Sequence, residues 1–319
     1  MNSVKREGLF LLFWPSLGKN PSSEQQEEYG ERTEAFYDGI FHTPEKFQLI
    51  VETDTKTDEK AELTPEGVIP VKKVTELPEA DIQDLTVTWF GHSTTLLQIH
   101  GMTVFIDPVL SEYSSPVGFT GARRMEEVPM TAEDVPLGVE NHLTRWGVDP
   151  EKIHKMAWWE DMEIDGLTIS STPGQHYSGR LPWGNNRTLW SGYFLQDGYH
   201  KVYYTGDTGY GEFFKKLRQR YGDPELVLSE DGQYDPEWPY CHMNPKEVLQ
   251  AAEDMGTEWL IPVHWAGFVL SRHAWDDPAE QLTTLAADSD VSVSTPRIGE
   301  TVSFDEIEQY QEKWWHEVE

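Results

Sequence analysis

The sequence predicts an α/β protein built as a four-layer αββα sandwich, and three observations predict it. Three β-type runs lie close together, Leu85–Phe90, Thr94–His100 and Met102–Ile106, with tight breaks at Gly91 and Gly101, and read as a meander. Farther along, apolar runs alternate with helical stretches, which argues for a second sheet with helices outside it. Several of these later runs end in a side chain suited to chemistry, at the strand end where open α/β folds place their sites.

Taken in order, Gly8–Gly18 is apolar and follows Lys5 and Arg6, but it is short of the ~20 residues of a membrane span. It reads as a segment docking against the domain. Pro21–Ala80 is polar with weak periodicity, an N-terminal arm that its aromatic cluster Tyr37–Phe47 pins down. The expected division is an arm over 1–83 and a compact domain over 84–319. After the meander, Asp107–Pro136 reads as a long loop of the kind that forms lids or binding surfaces. A short helical stretch, Val139–Trp146, leads to β-type runs at Lys155–Ile164, Gly166–Thr172, Leu189–Gln196 and Lys201–Thr205. Next come a helix over Gly211–Arg220, a buried strand over Leu226–Ser229, and a helix over Pro245–Met255 capped by Asn244. Trp259–Val263 is a strand, Pro278–Ala287 a helix, Thr301–Phe304 a last strand, and Glu306–Val318 an amphipathic terminal helix.

Composition bounds the function. Of 319 residues, 56 are acidic and 25 are lysine or arginine, a net charge of −31. Such a field repels nucleic acid and anionic bilayers, so no nucleic-acid partner and at most peripheral membrane contact are expected. A cytoplasmic location is expected. The single cysteine, Cys241, excludes an internal disulfide framework and a cysteine-based zinc site.

The chemistry gathers around Tyr203–Gly211. Gly206 and Gly209 allow a tight turn that presents Asp207 at the end of a strand. Ser171–Arg180 presents His176 in the same way, and Trp259–Phe268 presents His264. Two imidazoles and a carboxylate, each just past an apolar run, suit zinc or another borderline metal. His92 and Asp107 also sit at strand ends and are candidates for a supporting role, with turn capping as the alternative.

An ordered set of motifs carries a resemblance. Trp89-Phe90-Gly91-His92-Ser93, Phe105-Ile106-Asp107-Pro108, Thr172-Pro173-Gly174-Gln175-His176, Gly206-Asp207-Thr208-Gly209, His242-Met243-Asn244-Pro245 and His264-Trp265-Ala266-Gly267-Phe268 occur in that order. Together they resemble the metallo-β-lactamase-fold hydrolases of the N-acylphosphatidylethanolamine-hydrolysing phospholipase D branch. The resemblance implies the metallo-β-lactamase fold, two zinc ions and hydrolysis of a phosphodiester, with a small-molecule or phospholipid substrate as the expected partner. It implies that His176 ligates the first metal, Asp207 bridges both, and His264 ligates the second. By the same resemblance His242 contacts the substrate phosphate, although tying down a loop before a helix is an equal reading. Asp207 and His242 are thus the catalytic candidates.

One family feature is missing. The signature His-x-His-x-Asp-His does not occur, and by motif order it belongs near Pro136-Leu137. A strand, loop and helix, on the order of 30–40 residues, is expected to be absent there. His142 and His154 lie nearby, but nothing in their spacing recommends them. One zinc or none is therefore expected for this chain. The alternatives are a non-catalytic relative that keeps the pocket for binding, or a metallo-hydrolase of another ester, lactone or phosphodiester.

Overall fold

The computed structural model describes residues 20–45, 62–74, 79, 81–109, 112–114, 121–126, 149–179 and 185–318. Helix α1 (Ser23–Arg32) opens with a reciprocal capping box between Ser22 and Gln25, which satisfies two amide donors at its first turn. The short hairpin β1 (Phe36–Tyr37) and β2 (Ile40–Phe41) follows it. Tyr29, Phe36 and Phe41 from this segment pack with Trp158, Leu189 and Trp190, and Arg32 pairs with Glu160 at 2.6 Å.

The first sheet is the meander. β3 (Thr86–Trp89), β4 (Thr95–Ile99) and β5 (Met102–Ile106) pair antiparallel, and β13 (Thr301–Ser303) joins the free edge of β3. Register places Val87 opposite Leu97 and Leu97 opposite Val104, so one face of the sheet is apolar.

The second sheet holds β6 (Asp161–Ile164), β7 (Leu167–Thr172), β8 (Gly192–Gln196), β9 (Lys201–Tyr204), β10 (Leu226–Glu230), β11 (Trp259–Val263) and β12 (Ser292–Val293), in that spatial order. β6 to β9 are antiparallel neighbours, whereas β9 to β12 run parallel. The parallel half needs crossovers, and α2 (Phe213–Tyr221), α3 (Pro245–Met255) and α4 (Asp277–Ala286) supply them.

Both faces of this half are buried, which is why its strands read as continuous apolar runs. Tyr203, Val227 and Leu260 turn outward to Phe214, Leu217, Val248, Ala251 and Leu282 of the helices. Their neighbours Val202, Tyr204, Leu226, Leu228, Ile261 and Val263 turn inward, to Val87, Trp89, Leu97 and Ile99 of the first sheet. The sheet-on-sheet core with outer helices is the expected sandwich. Because β9, β10 and β11 are parallel, their C-terminal ends share one rim.

Two expected elements differ. Glu306–Val318 is not an α-helix but two 3-10 segments, Phe304–Gln309 and Trp314–Glu317. Trp314 and Trp315 are both fully buried, against Trp265, in the second of these segments. The strand expected over Lys155–Ile164 begins only at Asp161, because Ala157–Glu160 forms a turn with Trp159 at φ +71°. Gly8–Gly18, Val139–Trp146 and most of the Asp107–Pro136 loop fall outside the described residues.

Candidate metal centre

Asp207, His264, His92 and Asp107 stand on backbone that has just left a strand, whereas His176 lies farther along the turn after β7 and His242 just before α3. Gly206 follows β9 at φ +62°, and a Cβ there would lie 2.5 Å from the Ser191 carbonyl, so only glycine delivers Asp207 to the rim. His264, directly after β11, has φ +69°; His92 and Asp107 have φ +48° and +41°. Left-handed backbone at non-glycine residues is costly, and it persists where the surroundings over-determine it, often at functional sites.

These residues meet. Nε2 of His264 lies 3.2 Å from Oδ1 of Asp207. The His264 ring is 4.1 Å from that of His92 and 5.1 Å from that of His242, and His176 lies 5.0 Å from His242. Asp107 accepts a hydrogen bond from the Tyr204 hydroxyl at 2.8 Å and feels the charge of Asp207. His154 instead lines a small apolar cavity with Met156 and Ile169. His142 falls outside the described residues.

Electrostatics follow from this crowding. Burial raises the Asp207 carboxyl, but the surrounding imidazoles, His264 foremost, more than offset it and hold the group below the usual carboxylate range. Asp207 is not sealed off; its side chain is 37% exposed to the cleft. Burial, and then the neighbouring His242, lower His176 to about 4, and burial likewise lowers His92 and His242. These three imidazoles are therefore neutral near pH 7, the form that binds a metal.

One residue escaped the sequence reading. Glu230 ends β10, is 1% exposed, and accepts hydrogen bonds from His242 Nδ1 and the Met243 amide, each at 2.6 Å. Burial pushes its carboxyl well above the ordinary range. The signal was present, since a carboxylate directly after an apolar strand is the feature that singled out Asp207.

A family model described as a beta-lactamase superfamily domain matches residues 119–265. An uncharacterized protein of Mycobacterium tuberculosis is 35% identical over 259 residues, covering 70% of this chain and 69% of its own. The mitochondrial N-acyl-phosphatidylethanolamine-hydrolyzing phospholipase D of Saccharomyces cerevisiae is 28% identical, over 68% of this chain and 56% of its own. Among solved structures, a possible metal-dependent hydrolase from Veillonella parvula superposes with a TM-score of 0.51 at 18% identity, covering 70% of this chain and 99% of that one.

The chain belongs to the metallo-β-lactamase superfamily.

A metallo-β-lactamase superfamily member implies a metal, and the residues present fit one. His176 Nδ1 donates to the Tyr177 carbonyl at 2.8 Å, which leaves its Nε2 lone pair free. His264 faces Asp207 through Nε2, and His92 Nδ1 is buried without a hydrogen-bond partner. Nitrogen lone pairs next to a low-lying carboxylate form a donor set for a borderline divalent cation. Beside them opens a cavity of about 800 Å³, lined by His176 and His242, by Tyr177 and Trp238, and by His42 and Thr43 of the N-terminal segment.

Proposed function

We propose that this metallo-hydrolase scaffold serves zinc-dependent cleavage of a phosphodiester, of the phospholipase D type, on N-acylphosphatidylethanolamine-like lipids. The observation that carries the reading is the convergence of His176, Asp207 and His264 at one cleft beside His242. His176 and Asp207 would hold a cation on one side of the cleft, with Asp207 shared toward His264. Zinc bound there supplies positive charge to the phosphoryl oxygens and lowers the pKa of water. The chain's own groups do the rest. Asp207 stays ionised across the working pH range. His242, held through Nδ1 by Glu230, directs its other ring nitrogen away from that carboxylate and is the group assigned to a phosphate oxygen. The open cavity is of a size to take a substrate head group, within the several hundred Å³ typical of such sites.

In this reading the chain has lost the segment carrying His-x-His-x-Asp-His, between Pro136 and Leu137. The match to the mycobacterial relative supports a loss of that size within the aligned region. The alignment is 259 long yet takes up 70% of 319 residues, about 223, leaving about 36 positions without a counterpart here. With those ligands gone, low activity is expected from the chain as it stands.

The experiment is repair. The full chain and a version with a strand, a His-x-His-x-Asp-His loop and a helix inserted after Pro136 are loaded with zinc and given N-acylphosphatidylethanolamine vesicles. Phosphatidic acid release should be weak in the first and strong in the second, and Asp207→Ala in the repaired chain should abolish it. A repaired chain that takes up zinc but cleaves no phosphodiester means that the branch is wrong and another ester or lactone must be sought.

A further inference from the structure

On the side of the His264 ring opposite Asp207 lies a second group of donors. We propose that Glu230, His242 and His264 form a separate site for a single divalent cation, which uses Nδ1 of His264. It rests on the reading above only in taking a divalent metal as occupant, and it shares His264 with that centre.

The starting observation is an unpartnered nitrogen. Nδ1 of His264 is buried, faces Oε2 of Glu230 at 3.7 Å, beyond hydrogen-bond distance, and has no hydrogen-bond partner, while Nε2 faces Oδ1 of Asp207 at 3.2 Å on the other side of the ring. A buried polar atom left unsatisfied costs free energy, and a cation between Nδ1 and Glu230 would satisfy it.

The geometry permits it. Glu230, His242 and His264 each offer one ligand atom, and all three atoms lie within 4.8 Å of one another. Zinc at ~2.0–2.2 Å from nitrogen and oxygen ligands is compatible with such spacing after small rotations. The largest is at the Glu230–His242 hydrogen bond, whose 2.6 Å must open as the metal replaces the shared proton. The parts that hold these donors are rigid. Glu230 ends β10 and His264 follows β11, adjacent parallel strands in the register Glu230 opposite Val263. His242 precedes α3, which Asn244 caps with a capping box. Glu230 and His264 are 1% and 4% exposed at the side chain, and His242 at 12% opens to the cavity, which gives an entry path and a free coordination position. Two neutral imidazoles and one carboxylate leave a dication with one net positive charge, which Asp207 across the ring balances.

The test uses the full chain, stripped with a chelator and titrated with zinc alone. Metal uptake is read by equilibrium dialysis, and the ligating ring nitrogen by long-range ¹H–¹⁵N correlation of the imidazoles. The expected result is one zinc per chain bound at Nδ1 of His264. Glu230→Gln should weaken it at least tenfold, while Asp207→Asn weakens it less than threefold. Should Glu230→Gln fail to fold, the imidazole spectrum of the unmodified chain decides alone. Zinc on Nε2 of His264, with Asp207→Asn the damaging change, overturns this site and leaves the proposed function standing. Zinc on Nδ1, with no phosphodiester hydrolysis in the repaired chain, supports this site and overturns the function. No zinc uptake at all overturns the site outright.

Discussion

The amide of Gly209 donates to the carbonyl of Gln175 at 2.9 Å, and the amide of Gln175 donates to Thr208 Oγ1 at 2.7 Å. This small bridge ties the turn carrying Asp207 to the turn carrying His176. Neither turn can move without the other.

Gly209→Ala should break that coupling. A Cβ at this position would lie 2.0 Å from the Tyr240 carbonyl, so the turn must shift rather than a side chain. A loss of about 1–3 kcal/mol in urea unfolding is expected, the range for overpacking, together with weaker zinc uptake. An unchanged midpoint and unchanged uptake would show that the bridge is not needed.

Trp265→Ala should be among the most damaging core changes. Trp265 stacks on Trp89 at 5.2 Å and on Trp314 at 5.3 Å, and it follows His264 directly. Truncating so large a buried ring costs about 3–5 kcal/mol. Chemical unfolding measures it, and a cost below ~1 kcal/mol would mean that the tryptophan cluster is not a central support.

Asn244→Ala removes the cap of α3, where the Asn244 side chain accepts from the Lys246 and Glu247 amides. The expected cost is ~1 kcal/mol, or about 2–4 °C in Tm. Because His242 lies two residues upstream, its ring resonances should shift as well. Resonances that stay put would separate the cap from the site.

The fold should lose stability as the pH rises through the neutral range, and His200 is one cause beside the buried carboxylates. Burial works against charging its ring, but the Gln83 carbonyl and Glu225 carboxylate face its two nitrogens at 2.8 and 2.6 Å and raise its pKa above 6.5. A raised folded value means that the stabilisation is complete below about 6.5 and is lost as pH climbs through the folded value. Urea midpoints taken from pH 6 to pH 9 should fall in the native chain and fall less in His200→Gln. Equal slopes would acquit His200.

Zinc should raise Tm. At a free concentration ~100 times its Kd, a ligand of the folded state adds about 2.7 kcal/mol, and a chelator should remove the gain. A melting curve indifferent to zinc and chelator would mean that no site binds in the folded chain.

Much of this architecture was legible because the signals were local. Strand ends marked by Gly91, Gly101 and Gly206 fell where expected, and Asn244 with Pro245 gave the start of α3. Strand ends, together with the ordered motifs, are why His176, Asp207 and His264 were read as one group. Glu230 was missed because the apolar run was read as ending at Ser229, whereas burial of a carboxylate is visible only once His242 and Met243 are seen around it. The terminal segment was misread because its period looked helical, and only packing against Trp265 reveals why Trp314 and Trp315 must both turn inward.

The stacked indoles of Trp89 and Trp265, inclined by 21°, also couple optically. Their strong far-ultraviolet transitions interact at this distance, so the far-ultraviolet circular dichroism of the protein should carry an exciton signal from the stacked rings, Trp314 included. Trp265 is bonded to His264, and the Trp89 indole N–H donates to the carbonyl of His92 at 2.7 Å. A change in either histidine loop therefore alters the angle between the rings. The molecule has a built-in, label-free spectroscopic gauge of its own rim.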